Sequence, residues 1–447
     1  MSFIPNGPDT RLAMLKEAGI DSGRIDDLFG SIPAELRAQS FDIAEGKSEF
    51  EVEHIIRELG SKNVNKLTYF IGGGFYDHYI PAAVDSLTSR GEFFTAYTPY
   101  QPEASQGTLQ AIYEYQSCIC GLTGMDASNA SLYDGGTALY EAAMMAIRIT
   151  RRRRIVMDGG VSPIYRKMIR SYTHNLDIDF TEIPVCHGQS DREELYKHLN
   201  SETAAVILQN PNFFGAVDDH SDIIKKAHEK GILIISSVYP VSLGMLKTPG
   251  EMGVDIVTGE GQSLGLPLSF GGPYLGFMAA KKEYIRNMPG RICGATTDKN
   301  GKRAWVLTFQ TREQHIRREK ATSNICSNQS LCALRALIYM SLLGDKGLKT
   351  LSRLCRDKAE FAKSRLAAIK GVSVQTSAPT FNEFTIQLPV NANEVIGRMI
   401  ERGIAAGFPL GRYYEDMDNY LLVAVTEKRT KHEIIRFADT LEDVLWS

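Results

Sequence analysis

Residues 154–184 read "RIVMDGGVSPIYRKMIRSYTHNLDIDFTEIP", and the spacing of their apolar residues changes twice. "RIVMDG" is a short β-rich run, "PIYRKMIRSY" repeats its apolar positions at helical spacing behind a proline, and "LDIDFTEIP" returns to strand character. The same alternation continues downstream. "SDREELYKHLN" predicts a helix with a capping box from Ser190 and Glu193. "AAVILQNPN" predicts a strand, "SDIIKKAHEKG" a helix, and "ILIISSVYP" and "VDIVTG" two more strands. Apolar strands separated by amphipathic helices imply a mostly parallel sheet covered on both faces. Ligands in such sheets sit beyond the C-terminal ends of the strands, here "MDGG", "QNPNFFG", "SSVYP" and "TGEGQS".

Upstream, the first 65 residues read as short helical pieces broken by turns, of which "KSEFEVEHIIRELG" is the clearest and stops at Gly60. "YFIGGGFYDHYIPAAV" (69–84) is a glycine-rich aromatic loop. "SQGTLQAIYEYQSCICGLTG" predicts a helix with Leu109, Ile112, Tyr113 and Cys120 along one stripe, and "GGTALYEAAMMAIRITRRRR" a second whose four arginines complement the dipole at its C-terminal end. Downstream lie a polar stretch, "TREQHIRREKATSNICSNQS", and a long helical region over about 328–370. The tail reads as two strands (371–376 and "FNEFTIQL"), the helix "NEVIGRMIERG", a strand near 404–408, the strand "YLLVAVT", and a last helix with Ile434, Phe437, Leu441 and Val444 at helical spacing. The expected organisation is therefore a helical segment 1–65, a large α/β domain 66–330, and a connecting long helix with a small C-terminal α+β domain 331–447.

Composition bounds the function. The 447 residues are 43% apolar and 23% charged, with a net charge of −3, so no global field draws the chain to nucleic acid or anionic lipid. No stretch approaches the ~20 apolar residues that span a bilayer, and the N-terminus lacks a basic start followed by an apolar run, so a cytoplasmic protein is expected. The seven cysteines lack paired C-x-x-C spacing and read as reduced thiols; His187, His198, His228 and His432 lack ligand spacing, and no metal site is expected.

A large parallel-sheet domain followed by a small C-terminal α+β domain resembles the fold-type I pyridoxal-phosphate (PLP) transferases. Five segments narrow this: "GGGFYDHYIPAAV", "FFTAYTPYQPEASQGTLQAIYEYQ", "ASLYDGGTALYEAAMMA", "QNPNFFG" and "TREQHIRREKATSNIC" together resemble the glycine decarboxylase (P-protein) family of the glycine cleavage system, specifically its N-terminal half, which in some bacteria and archaea is a separate α subunit. That family decarboxylates glycine on PLP and passes the aminomethyl group to the lipoyl arm of the H-protein, with the cofactor as electron sink. In the family's β subunit a His–Lys pair follows the strand matching "VDIVT"; those positions here fall on Gln262 and Ser263, and the acid for the ring nitrogen falls on Ser237. Serine forms no imine and carries no compensating charge. The loop "GEGQSLGLPLSFGGPYLGFMA" (259–279) holds no lysine at all, and Lys281 and Lys282 beyond it read as a solvated pair opening a helix rather than a displaced Schiff base.

The resemblance thus implies a chain without catalytic residues of its own, inactive alone, that completes the site of a homologous lysine-bearing β subunit in an α2β2 assembly. PLP would be held covalently by that partner and not by this chain, and a homodimer is the expected substitute assembly when β is absent. Tyr76, His78, Tyr97, Tyr100 and Glu103 are the candidates at the shared site: Tyr97 and Tyr100 for the substrate carboxylate or cofactor, Glu103 or His78 for the amine. Tyrosines near prolines also serve simply to pack a loop. Thr137, in the glycine turn that opens a helix where the superfamily cradles phosphate, and Thr322, Ser323 and Asn324 are phosphate-contact candidates; relic geometry kept for packing is the alternative for the turn.

Overall fold

The structure is a computed structural model, described for residues 5–38, 40, 42–64, 66–375 and 378–446. By its internal contacts the chain divides into two units, residues 1–65 and 66–447. In the first, helices Pro8–Glu17 and Glu49–Ser61 flank two short 3₁₀ turns, and the second helix starts from a Ser48/Glu51 capping box.

The second unit is built on a seven-stranded sheet: β1 (Ala127–Ser128), β2 (Arg154–Asp158), β3 (Asp179–Ile183), β4 (Thr203–Asn210), β5 (Leu233–Val238), β6 (Ile256–Glu260) and β7 (Gly276–Ala280). Their order is β1-β7-β6-β5-β4-β2-β3; β6, β5, β4, β2 and β3 run parallel, and β7 and β1 close one edge antiparallel. The strands are apolar on both faces because both are covered. Val156, Val206, Leu208, Ile234, Val257 and Phe277 pack on one side with Tyr115 and Ile119 of helix α1 (Gln106–Thr123). Ile155, Met157, Ala205, Ile207, Ile235 and Met278 alternate to the other side, against Ala138, Ala142 and Ala146 of α2 (Gly135–Thr150). Fully burying each such side chain contributes about 1.5–3 kcal/mol, and the small residues of α2 let it lie close to the sheet.

Around this sheet follow α3 (Pro163–Thr173), α4 (Arg192–Lys197), α5 (Ser221–His228) and a hairpin packed on α1, β8 (Ile292–Thr297) with β9 (Arg303–Thr308). The long helix α6 (Ser330–Ala367) breaks at Gly344 (φ 57°, ψ −172°) and belongs to two cores: Ala336, Leu337 and Tyr339 join that of the large sheet, whereas Ala359, Ala362 and Leu366 join the C-terminal one. The latter is a sheet of β10 (Ser373–Val374), β11 (Glu383–Gln387), β12 (Phe408–Pro409) and β13 (Tyr420–Ala424), ordered β10-β11-β13-β12 and backed by α7 (Ala392–Glu401) and α8 (Lys431–Trp446). Ile434, Phe437, Leu441 and Val444 of α8 are all buried there, as their spacing predicts.

Four sequence expectations shift. Helix α4 is capped by Asp191, whose side chain accepts from Glu194 N, rather than by the Ser190/Glu193 box. The buried stripe of α1 runs through Leu109, Ile112, Gln116, Ile119 and Thr123, leaving Tyr113 and Cys120 at its edge. Of the four arginines, only Arg151 ends the helix; Arg152 bonds the carbonyls of Thr203, Lys230 and Gly231, and Arg154 begins β2. The strand near 404–408 splits, Ile404–Ala405 pairing with Thr68–Tyr69 and Phe408–Pro409 with β13. Among the described residues no helix is long and apolar enough to cross a membrane.

Candidate active site

The C-terminal ends of β4, β5 and β6 converge with the loop 71–80 on a cavity of about 30 Å³, lined among others by Gly73, Tyr76, Tyr165, Ser237, Glu260 and Glu383. That volume holds a water molecule and no ring-sized ligand. Ser237 and Ser263 are both buried, and the Ser263 hydroxyl has no hydrogen-bond partner among the described residues. Gln262, beside it, is fully used: its amide donates to Tyr76 O and Leu266 O and accepts from Tyr76 N.

Two buried carboxyls fill the place. Glu260 accepts from the backbone N–H groups of Gly135 (2.9 Å), Gln262 (2.9 Å) and Leu275 (3.1 Å), and burial raises it to about 8 although those bonds pull the other way. At the same helix start Asp134 caps α2, accepting from Thr137 N (2.9 Å) and Thr137 Oγ1 (2.7 Å). The positive end of α2 is thus met by two carboxyls of the chain itself. Glu383 accepts from Tyr76 Oη (2.6 Å) and Gly73 N (2.6 Å), and burial raises it to about 7. The three glycines make this approach fit: a Cβ on Gly72 would lie 2.0 Å from Glu383 Oε1, and Gly73 and Gly74 have φ of 81° and 109°.

The rest of loop 71–80 is clamped from the C-terminal region. His78 Nδ1 bonds Glu427 Oε2 (2.7 Å) and its Nε2 meets the Tyr239 hydroxyl, while Tyr79 N donates to Glu427 Oε1 (2.6 Å). Burial pushes the Glu427 carboxyl up, but His78 and the Tyr79 N–H outweigh it and leave it below the usual range. Asp77 pairs with Lys428 and Arg429. Tyr76 and His78 are therefore buried and bonded within this chain, Tyr76 on the lining of the cavity.

The other candidates separate from the cavity. Tyr97 is 78% exposed, its hydroxyl 3.0 Å from Ser327 Oγ; Tyr100 is 44% exposed, stacked beside Arg291 and accepting from its guanidinium (3.1 Å); Glu103 is exposed. Thr137 lies at the helix start but bonds Asp134. Ser323 donates to Glu141 one turn further along α2 (2.6 Å), Thr322 is half-buried, and Asn324 is exposed, so these three do not gather at the cradle. Lys281 is committed to Asp255 and Gly253 O at the opposite end of β6, a full strand away from Glu260. Sequence reasoning missed Glu260 and Glu383; a carboxylate between glycines at a strand end, "TGEGQS", was the available signal for the first.

The glycine cleavage system P-protein profile matches residues 1–441. The chain belongs to that family. It is 59% identical over 445 residues to the probable glycine dehydrogenase (decarboxylating) subunit 1 of Geotalea uraniireducens (strain Rf4), and 54% identical over 445 residues to that of Maridesulfovibrio salexigens, covering all of each chain in both cases. An inhibitor-bound glycine decarboxylase (P-protein) of the glycine cleavage system superposes over the whole of both chains with a TM-score of 0.92 at 39% identity. Lactobacillus brevis glutamate decarboxylase shares the fold, with a TM-score of 0.70 at 12% identity over 92% of this chain and 96% of its own. The fold-type I architecture expected from the sequence is thus the observed one.

In this P-protein chain the residues at the strand ends do not fit PLP. Among the described residues no lysine lines the cavity, the side chain at the end of β5 is the uncharged Ser237, and Glu260 takes the Gly135 N–H at the start of α2. A phosphate placed there would have to displace Glu260 from the Gly135 N–H and Asp134 from the Thr137 N–H.

Proposed function

We propose that this chain is subunit 1 of a glycine decarboxylase and works as the cofactor-free half of its catalytic unit. A homologous, lysine-bearing subunit holds PLP, which supplies the electron sink for decarboxylation, and the aminomethyl group leaves on the lipoyl arm of the H-protein. This chain contributes walls to that partner's pocket in an α2β2 assembly, through Tyr97, Tyr100 and Glu103. The observation that carries the reading is the small cavity: Glu260 takes the Gly135 N–H and Glu383 the Gly73 N–H, and among the described residues no lysine lines it. Meanwhile two tyrosine rings stay in water, where an aromatic side chain with a polar tip suits a shared site.

Purified alone with PLP, the chain is expected to stay colourless, to carry no borohydride-fixed adduct, and to catalyse no glycine–bicarbonate exchange. Mixed with subunit 2 it is expected to restore exchange. The double substitution Tyr97→Phe, Tyr100→Phe should lower that exchange about 10- to 100-fold, the effect of removing hydrogen bonds to a charged group, while the complex still forms. Unchanged exchange would reduce this chain to a scaffold; exchange by the isolated chain would overturn the reading altogether.

A further inference from the structure

Loop 71–80, the part of α6 beyond Gly344 and the chain just after β13 bring His78, Cys355 and Glu427 together. One ligand atom from each, an imidazole nitrogen, the sulfur and a carboxylate oxygen, lies within 4.8 Å of the other two. His78 Nδ1 is 2.7 Å from Glu427 Oε2, and Cys355 Sγ is 3.5 Å from the same oxygen. His78 and Cys355 are buried, and the Glu427 side chain is 13% exposed. The atoms that do not converge are held from outside. His78 Nε2 meets the Tyr239 hydroxyl, and Glu427 Oε1 accepts from Tyr79 N (2.6 Å). Metal-ligating imidazoles and carboxylates are oriented in this way, through the nitrogen or oxygen that does not touch the metal. The nearest ammonium, that of Lys358, bonds the backbone carbonyl of Glu427 and leaves its carboxylate free of a lysine. Sequence spacing could not show the cluster, because His78 and Glu427 are 349 residues apart and Cys355 and Glu427 are 72 apart.

We propose that His78 Nδ1, Cys355 Sγ and Glu427 Oε2 form a structural zinc site that ties loop 71–80 to α6 and to the chain beyond β13. Zinc bonds of about 2.0–2.3 Å to nitrogen, oxygen and sulfur put tetrahedral ligand atoms about 3.3–3.7 Å apart. Small side-chain shifts reach that spacing from the distances here. The ligand set also selects the metal: a thiolate beside an imidazole suits zinc, whereas magnesium and calcium take oxygen ligands. Charge closes too. On binding, the thiol proton leaves to solvent, and the thiolate and carboxylate together match the two charges of the ion, so the site ends neutral where a net charge is costly to bury. Without a metal the sulfur adds little, since a thiol is a weak donor and its one contact is to an oxygen that His78 already uses.

The test needs neither subunit 2 nor PLP. The full-length chain, reduced and stripped of metal with a chelator, is titrated with Co²⁺ and with Zn²⁺. One equivalent should bind, with a near-ultraviolet thiolate-to-cobalt absorption that Zn²⁺ abolishes, a zinc dissociation constant below about 1 μM, and a higher melting temperature in Zn²⁺. Cys355→Ser should lose the absorption and bind zinc at least about a hundredfold more weakly, whereas Tyr239→Phe should keep the absorption and weaken zinc binding about tenfold. Replacing the two exposed thiols together, Cys186→Ser with Cys326→Ser, should change neither reading. An absorption that survives in Cys355→Ser would overturn the site. So would a wild-type dissociation constant above about 1 μM, the mark of an adventitious ion only. If Cys355→Ser does not fold, X-ray absorption at the zinc edge of the wild-type chain decides: a single sulfur among nitrogen and oxygen neighbours upholds the site, and any other sulfur count overturns it.

Discussion

Glu260 carries an electrostatic consequence that can be measured in the isolated chain. Its carboxyl is raised to about 8 in the fold, from an ordinary 4.5, by burial that three backbone N–H groups only partly offset. Around pH 6–7 the folded chain therefore binds a proton that the unfolded chain has released. The stability from that proton is fully present below about pH 4.5 and is lost as the pH rises through 8, with a slope of up to about 1.4 kcal/mol per pH unit. Glu383, raised to about 7, acts in the same direction about one unit lower. The urea midpoint of the wild-type chain should accordingly fall between pH 6 and pH 9. Glu260→Gln should flatten that slope while lowering stability at pH 6 by about 1–3 kcal/mol, since its amide group would oppose the Gly135 N–H and leave a buried donor unpaired. A slope as steep as wild type in the variant would show that Glu260 is not the titrating group.

Long helices in soluble proteins end or bend at identifiable residues, and α6 does so at Gly344. Its φ of 57° with ψ of −172° lies where side-chain-bearing residues are excluded, and a Cβ there would meet nothing within 4 Å. Gly344→Ala should therefore cost about 1–3 kcal/mol from the backbone alone, read as a lower urea midpoint with an unchanged m-value. A larger loss would mean that the parts of α6 on either side of Gly344, which together pack into both cores, must repack. Element existence and type were legible here from period alone: the helix over 328–370, the parallel strands and α8 all stand where the apolar spacing puts them. The break inside α6, the cap of α4 and the exact buried face of α1 were not, because each depends on which neighbour the element meets rather than on its own pattern.

At the scale of the molecule, the fold-type I architecture is intact while the cavity at its strand ends measures only about 30 Å³ and is lined by two buried carboxyls of the chain itself. Restoring the lysine should consequently not restore the cofactor. Ser263→Lys is expected to give no pyridoxyl adduct after borohydride, by intact mass, and to lower the melting temperature, because residue 263 is buried and is not among the residues lining the cavity, so a long cationic side chain there is buried without a partner. An adduct on residue 263 would show that the cavity opens readily and that only the amine is missing.

The sequence by itself determined the sheet, the two-sided burial, the small C-terminal sheet and the lack of any lysine in residues 259–279, since each is a property of residues near one another in the chain or of a residue type simply not being there. Only the tertiary structure decided which carboxyls line the cavity at the strand ends and which loop residues face out. Those contacts join positions far apart in the chain, Gly135 with Glu260 across 125 residues, Gly73 with Glu383 across 310 and His78 with Glu427 across 349. Periodicity says which face of an element is apolar; it carries no information about which distant carboxylate will meet a given N–H. For that reason "GGGFYDHYI" could be singled out as a special loop from its glycines and aromatics, whereas the inward turn of Tyr76 and His78 and the outward turn of Tyr79 depended on partners three hundred residues away.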